Sequence, residues 1–285
     1  GEAIGLLEKN GKTTIIAPEL EVGRAISESE DCDVITAERG SGLISTLIQK
    51  IKKNLVCTDC QNYSTMLSLK KSIPHIKSSV EPFYAARIVK DEKEIKILKK
   101  ASKIIDEMFT ICSKKIKVGQ KESELQTILM TYAMEQGMFD TGYASTLNPL
   151  IIAGGPNGAL PHAQVSQRKF KKGDLIVTDL TLRYKGYVSD STRTFALGKI
   201  SSQANEAYEI GQYFIHSTGH GIGLEVHELP TISYRSNTKL KENMAITVEP
   251  GVYLANKFGI RIEDSVIVKD RPIIMHKFTK DLLRI

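Results

Sequence analysis

Ile95, Leu98, Ile104 and Ile105 recur at the spacing of one helix face. The pattern predicts a long amphipathic helix over 91–115, opened by Arg87-Ile88-Val89-Lys90-Asp91-Glu92, with core packing as the reason for its apolar stripe. A second helix is predicted over 120–136 and a short helical piece over 202–210. The periodicity changes at 174–184 and 187–197. These stretches are rich in Leu, Ile, Val, Thr and Tyr and meet at Lys185-Gly186, which predicts a β-hairpin. A two-residue turn there pairs Tyr184 with Tyr187 and Thr181 with Asp190. Residues 245–254 and 259–268 read as a second hairpin. A three-residue loop at Ala255-Asn256-Lys257 sets Glu249 opposite Glu263, with Pro250-Gly251 as a candidate bulge.

Upstream, strands at 4–8 and 13–17 flank a Lys9-Asn10-Gly11 turn. Further strands at 33–37 and 55–58 alternate with helical stretches near 41–53 and 62–71, which argues for an α/β unit. Proline breaks the pattern in Glu81-Pro82-Phe83-Tyr84, read as a hinge. The chain thus divides into residues 1–84 and 85–285. It opens on Gly-Glu-Ala-Ile, neither a signal peptide nor an initiator Met, so the sequence is read as beginning part-way into the native protein. No apolar run approaches the about 20 residues of a membrane span.

Charge and cysteine content narrow the classes. The net charge of +6 is mild, and lysines are dispersed rather than clustered with aromatics, which argues against nucleic-acid binding. Cys57 and Cys60 form a lone C-x-x-C, and Cys32 and Cys112 lie far away. No second pair completes a zinc site, so all four read as free thiols suited to a reducing cytosol.

The chemistry concentrates in His216-Ser217-Thr218-Gly219-His220-Gly221-Ile222-Gly223, followed by His227-Glu228. Two acidic hairpins flank it, with Asp179 and Asp190 upstream and Glu249 and Glu263 downstream. Asp179 lies two residues from Thr181, so both aspartates project from one face as diagonal neighbours, about 7–8 Å apart at the backbone. Like charges facing each other on a ladder destabilise it unless something neutralises them, and two divalent cations would. The alternative is that each acid is a solvated outer-face carboxylate.

Asp179, Asp190, His220, Glu249 and Glu263 resemble, in order and approximate spacing, the five metal ligands of the pita-bread metallopeptidases, an α+β family. Its members include methionine aminopeptidase, aminopeptidase P and Xaa-Pro dipeptidase. The resemblance covers nearly all of residues 85–285, through Gly154-Gly155-Pro156-Asn157-Gly158-Ala159-Leu160-Pro161-His162 and both hairpins. His216-x-x-Gly219-His220, Glu249-Pro250-Gly251 and Gly259-Ile260-Arg261-Ile262-Glu263-Asp264 look like the proline-specific branch. It implies a small amino-terminal α/β domain ahead of a pita-bread catalytic domain. It also implies halves related by pseudo-symmetry, whereas the second half here has only residues 202–210 where a helix pair belongs. About 35–40 residues are therefore inferred to be absent between Ile210 and Gly211.

The resemblance further implies a dinuclear centre that hydrolyses the X-Pro bond, in Xaa-Pro dipeptides or short peptides. Asp179 would serve one metal and His220 and Glu249 the other, with Asp190 and Glu263 bridging. Oxygen-rich ligation with one imidazole suits Mn²⁺ or Co²⁺, with Zn²⁺ and Fe²⁺ as alternatives. Glu249 would act as general base. His162 matches the histidine near the substrate's amino end. His216 and His227 match those that stabilise the carbonyl oxygen or shuttle protons, and Arg261 would hold the bridging acids. His75 and His276 carry no motif and read as surface residues.

Two departures stand out. Leu180-Thr181 follows Asp179 where the family often has x-Gly. Thr231 stands where some Xaa-Pro dipeptidases place an arginine for the dipeptide carboxylate, with Arg235 four residues later. Aminopeptidase P is therefore the close alternative, and a non-catalytic pita-bread binding module the distant one. A homodimer is implied by family alone, while the cytoplasmic location is read from the free thiols.

Overall fold

The computed structural model describes residues 2–37, 42–51, 56–141, 150–211 and 219–285. The chain falls into two compact units, Gly1–Phe83 and Tyr84–Ile285. In the first, β1 (Ile4–Leu7) and β2 (Thr13–Ala17) form the hairpin around Gly11, whose φ of +85° the tight turn requires. After α1 (Val22–Glu28), β3 (Asp33–Thr36) joins β2 in parallel. Following α2 (Gly42–Ile51), β4 (Val56–Thr58) and β5 (Ile76–Ser78) pair in parallel around α3 (Tyr63–Ser72). Ile16, Leu47, Ile51, Leu69 and Ile73 form the core of this unit.

Pro82 does not break the chain. It lies in the first turn of α4 (Glu81–Ile88), where a helix needs no N–H from that residue. Nor does the long helix open at Arg87. Val89 bridges Met244 and the Lys90 N–H donates to Asn243 O, so the chain is extended there before it turns again.

α5 (Glu92–Lys115) starts at a capping box. The Asp91 carboxylate accepts from Glu94 N at 2.8 Å, and Glu94 accepts from Asp91 N at 2.7 Å. Its stripe of Ile95, Leu98, Ile104, Ile105, Met108 and Phe109 is fully buried. Each such side chain contributes about 1.5–3 kcal/mol. α6 (Glu122–Glu135) packs beside it, followed by β6 (Met138–Phe139) and β7 (Leu150–Gly154).

β8 (Leu175–Tyr184) and β9 (Tyr187–Ala196) pair Tyr184 with Tyr187 and Thr181 with Asp190 across Lys185-Gly186, as the hairpin pattern predicts. Both turn residues have positive φ, +48° and +87°, the signature of the tight turn that matches strand twist. Strand alternation then divides the chemistry. Ile176, Leu180, Leu182 and Phe195 face the core under α5 and α6, while Asp179, Thr181, Asp190 and Thr192 share the opposite face.

After α7 (Ser202–Gly211), β10 (Gly219–Gly221) and β11 (Glu228–Ile232) lead to β12 (Ala245–Val248), β13 (Gly251–Leu254), β14 (Phe258–Arg261), β15 (Asp264–Ile267) and β16 (Ile273–Ile274). One sheet runs β11-β10-β12-β15-β16, and β13-β14 is a separate ribbon. β17 (Leu283–Arg284) adds to β9 in parallel. Val248 pairs with Asp264 and Gly251 with Arg261, so register is unchanged across the glutamates and no bulge occurs at Pro250-Gly251. The ladder there keeps one bond, from Ile262 N–H to Pro250 O at 3.2 Å. Pro250 has no N–H to give, and the Glu263 N–H crosses to Thr192 O at 3.0 Å.

α7 carries the backbone through Ile210 and Gly211. His216, Ser217 and Thr218 of the His-Gly motif lie outside the described residues. Among the described residues no helix is long and apolar enough to cross a membrane.

Candidate metal centre

The two hairpins meet through one backbone bond and two serine hydroxyls that donate to backbone carbonyls. Besides Glu263 N to Thr192 O, the Ser191 hydroxyl donates to Glu263 O at 2.6 Å and Ser265 to Asp190 O at 2.7 Å. These bonds bring Asp190, His220 and Glu263 together, with one ligand atom from each within 4.8 Å of the others. Glu249 Oε1 lies 3.3 Å from His220 Nε2, and Asp190 Oδ2 lies 3.9 Å from it. Thr181 reaches both aspartates, at 2.7 Å to Asp190 and 3.3 Å to Asp179.

Asp190 and Glu263 are 5% and 2% exposed. Burial, then the neighbouring carboxylates, drives both carboxyls well above their ordinary range. Among the described residues, Arg261 is the one guanidinium set directly against a carboxylate of this group. Its Nη2 donates to Asp179, and its other donors reach Thr192 Oγ1, Pro161 O and Tyr253 OH, each at 3.0 Å. Burial opposes the charge on Arg261, but Asp179, Tyr253 and Glu263 together outweigh it and hold the group firmly protonated. Arg261 thus holds Asp179 rather than the two acids expected to bridge. Asp190 and Glu263 each accept from a Thr hydroxyl instead, from Thr181 and Thr192 respectively, both at 2.7 Å.

The donor set fits divalent cations. His220 Nδ1 lies 3.0 Å from Gly221 O. With the Nδ1 proton assigned to that carbonyl, the Nε2 lone pair faces carboxylate oxygens, an arrangement a cation would stabilise. Thr247 supports the pair, its Oγ1 accepting from His220 N at 3.1 Å and donating to Glu249 at 3.2 Å. His227 packs edge-to-face on His220, with ring centroids 4.4 Å apart. Burial, then His220 and His162, lowers its pKa. His162 is exposed, one residue past the Pro161 carbonyl that Arg261 grips. Thr231 pairs with His220 across β10 and β11. Arg235 is exposed beyond β11, and its Nε donates to Tyr234 OH at 2.8 Å.

His276 is not a surface residue. It is 2% exposed, and its Nδ1 lies 3.6 Å from Asp106 Oδ1. Arg193 was missed by motif reasoning. It projects from β9 opposite to Asp190 and bonds Glu263 O at 2.7 Å, Asp264 Oδ1 at 2.7 Å, Phe278 O and Thr279 O at 2.9 Å. The available signal was a charged residue inside a strand with buried neighbours, which needs such partners.

Comparisons with known proteins converge. The model of "Metallopeptidase family M24" matches residues 96–212 and 207–270. An Xaa-Pro dipeptidase of Pyrococcus furiosus is 32% identical over 299 residues, covering 91% of this chain and 82% of that protein. Among solved structures, an Xaa-Pro dipeptidase from Bacillus anthracis has a TM-score of 0.89 at 29% identity, covering 100% of this chain and 90% of that one. An X-Pro aminopeptidase from Thermotoga maritima has a TM-score of 0.86 at 27% identity, covering 99% and 90%.

The raised carboxyls set a pH dependence for metal-free protein. Folded Asp190 and Glu263 bind protons more tightly than unfolded, so their contribution to stability is present below the ordinary carboxylate range. It is lost as pH rises through their folded values. Urea midpoints should show Asp190→Asn gaining on the wild type from about pH 4 towards neutrality. A gap that shrinks over that interval would contradict the shifts.

Proposed function

We propose this chain's function from its family: it belongs to metallopeptidase family M24, and its reaction is metal-dependent hydrolysis of the X-Pro imide bond in Xaa-Pro dipeptides. The observation that carries the reading is the convergence of Asp190, His220 and Glu263, with Glu249 at 3.3 Å from His220. Relatives named Xaa-Pro dipeptidase support the substrate class. The similarly close Thermotoga maritima structure favours a second reading, an aminopeptidase acting on longer X-Pro peptides.

In this reading Asp179, Asp190, His220, Glu249 and Glu263 hold two divalent cations, Mn²⁺ or Co²⁺. Bound there, the cations supply Lewis-acid polarisation and lower the pKa of water. Glu249, the least buried of the four acids and oriented by Thr247, takes a proton from the attacking water and delivers it to the departing proline nitrogen. His227, with His216, stabilises the carbonyl oxygen as it gains charge. His162 receives the substrate's amino end. Arg261 holds Asp179 in place, and its bond to Pro161 O ties that acid to the His162 loop.

Residues 1–84 form the amino-terminal domain and 85–285 the catalytic domain. The latter lacks about 35–40 residues between Ile210 and Gly211, comparable to the helix pair of the first half. Support comes from the family match, which falls into two pieces meeting at 207–212. The Pyrococcus furiosus alignment spans 299 positions but takes in only 91% of 285 residues, about 259. We place the enzyme in the cytoplasm as a homodimer.

Chelation should abolish X-Pro hydrolysis and Mn²⁺ or Co²⁺ should restore it, while Asp190→Asn should lower kcat by at least about 100-fold. Full activity after verified metal removal would sink the metal-dependent reading. Arg235→Ala should raise KM for X-Pro dipeptides about 10-fold with little change in kcat, because a charge-assisted hydrogen bond is lost. Unchanged dipeptide kinetics with faster turnover of an X-Pro tripeptide would favour the aminopeptidase. Light scattering at micromolar concentration should give twice the chain mass, and a fully active monomer would refute the dimer.

A further inference from the structure

Glu228 follows His227 in sequence, yet its side chain is only 3% exposed. Two cations from a segment about 140 residues upstream meet it there. Lys90 Nζ, itself 1% exposed, lies 3.0 Å from Glu228 Oε2, and Arg87 Nη2 bonds Oε1. The Glu225 N–H also donates to Oε1, at 3.1 Å. Glu228 thus closes a turn over the five residues before it. A Cβ at Gly223 would lie 2.8 Å from Glu228 Oε2, so turn and carboxylate are moulded around each other.

The turn has little backbone bonding of its own beyond Gly223 N to Glu225 O at 3.2 Å. Its outer side is strapped to the first hairpin, by Val188 N to Gly223 O at 2.7 Å and Arg183 Nη2 to Leu224 O at 3.1 Å. Its inner side rests on the carboxylate. Lys90 is anchored through its own N–H to Asn243 O, 2.9 Å away, beside the Val89–Met244 bridge. A buried ion cluster is a costly way to add stability, but a specific way to fix geometry.

We propose that Glu228, gripped by Lys90 and Arg87, is a positioning residue that shapes the 223–228 turn and thereby holds the His227 ring against His220. Its kinetic consequence rests on the reading of His227 as a catalytic residue; its structural consequence does not.

The test uses full-length protein with Glu228→Leu and with the pair Lys90→Met and Glu228→Leu. The single change strands a buried ammonium and should unfold at lower denaturant. The double change removes both charges and should recover much of that stability. With six histidines in the chain, imidazole carbon–proton resonances of metal-free protein can be assigned through His227→Gln. In the double variant the His227 and His220 resonances should move and that of His75 should not. With metal restored, kcat should fall about 10- to 100-fold while KM stays within about threefold. A stable double variant with unmoved His227 resonances and wild-type kcat would overturn the proposal. Full activity of His227→Gln would remove the catalytic role of His227 alone, leaving the structural claim to be judged by the resonances.

Discussion

Four carboxylates converge at the meeting of two β-hairpins, two of them almost wholly removed from water. Like charges repel strongly in a medium of low dielectric, so this arrangement is unfavourable for the bare chain. Its immediate surroundings respond to that constraint. Arg261 neutralises Asp179, while Thr181 and Thr192 donate to Asp190 and Glu263. Behind them Arg193 braces the backbone of Glu263, and its remaining donors bind the segment at Phe278 and Thr279. The family's dependence on metal is the chemical counterpart of the same imbalance.

The helices explain how such a site is carried at all. α5 and α6 bury one face of β8 and β9 in apolar contact, which leaves the other face free to hold polar groups. The Glu hairpin reaches that face because the Glu263 N–H points out of its own ladder, next to the bond from Ile262 N–H to Pro250 O, and donates to Thr192 O on β9. In an antiparallel ladder the alternate, non-hydrogen-bonded pair leaves its N–H and C=O free for a neighbouring element, and Glu263 O accordingly accepts from Ser191 and Arg193. The outward-facing backbone groups of Glu263 therefore join the two halves of the centre.

Much of this was legible in the chain. Period-two alternation and Lys185-Gly186 fix the register of β8 and β9, because a one-residue slip would turn Asp190 out of the cluster. The helix stripe, the N-terminal hairpin and the spacing of acids around His220 were equally readable, being local patterns. What escaped depends on distant partners. Pro82 sits inside a helix because first-turn positions tolerate it, and the chain straightens at Lys90 because Asn243 and Met244 bind it. His276 is buried by the fold around Asp106, which no spacing announces. Arg193 and Glu228 draw their meaning from partners 70 to 141 residues away.

The central claim is that the acids are held together in order to share cations. Anomalous diffraction from crystals soaked in Mn²⁺, recorded on either side of the manganese edge, tests it most directly. The account predicts two peaks about 3.5–4 Å apart, enclosed by Asp179, Asp190, His220, Glu249 and Glu263. No peak among these residues, at a Mn²⁺ concentration that supports hydrolysis, would contradict it.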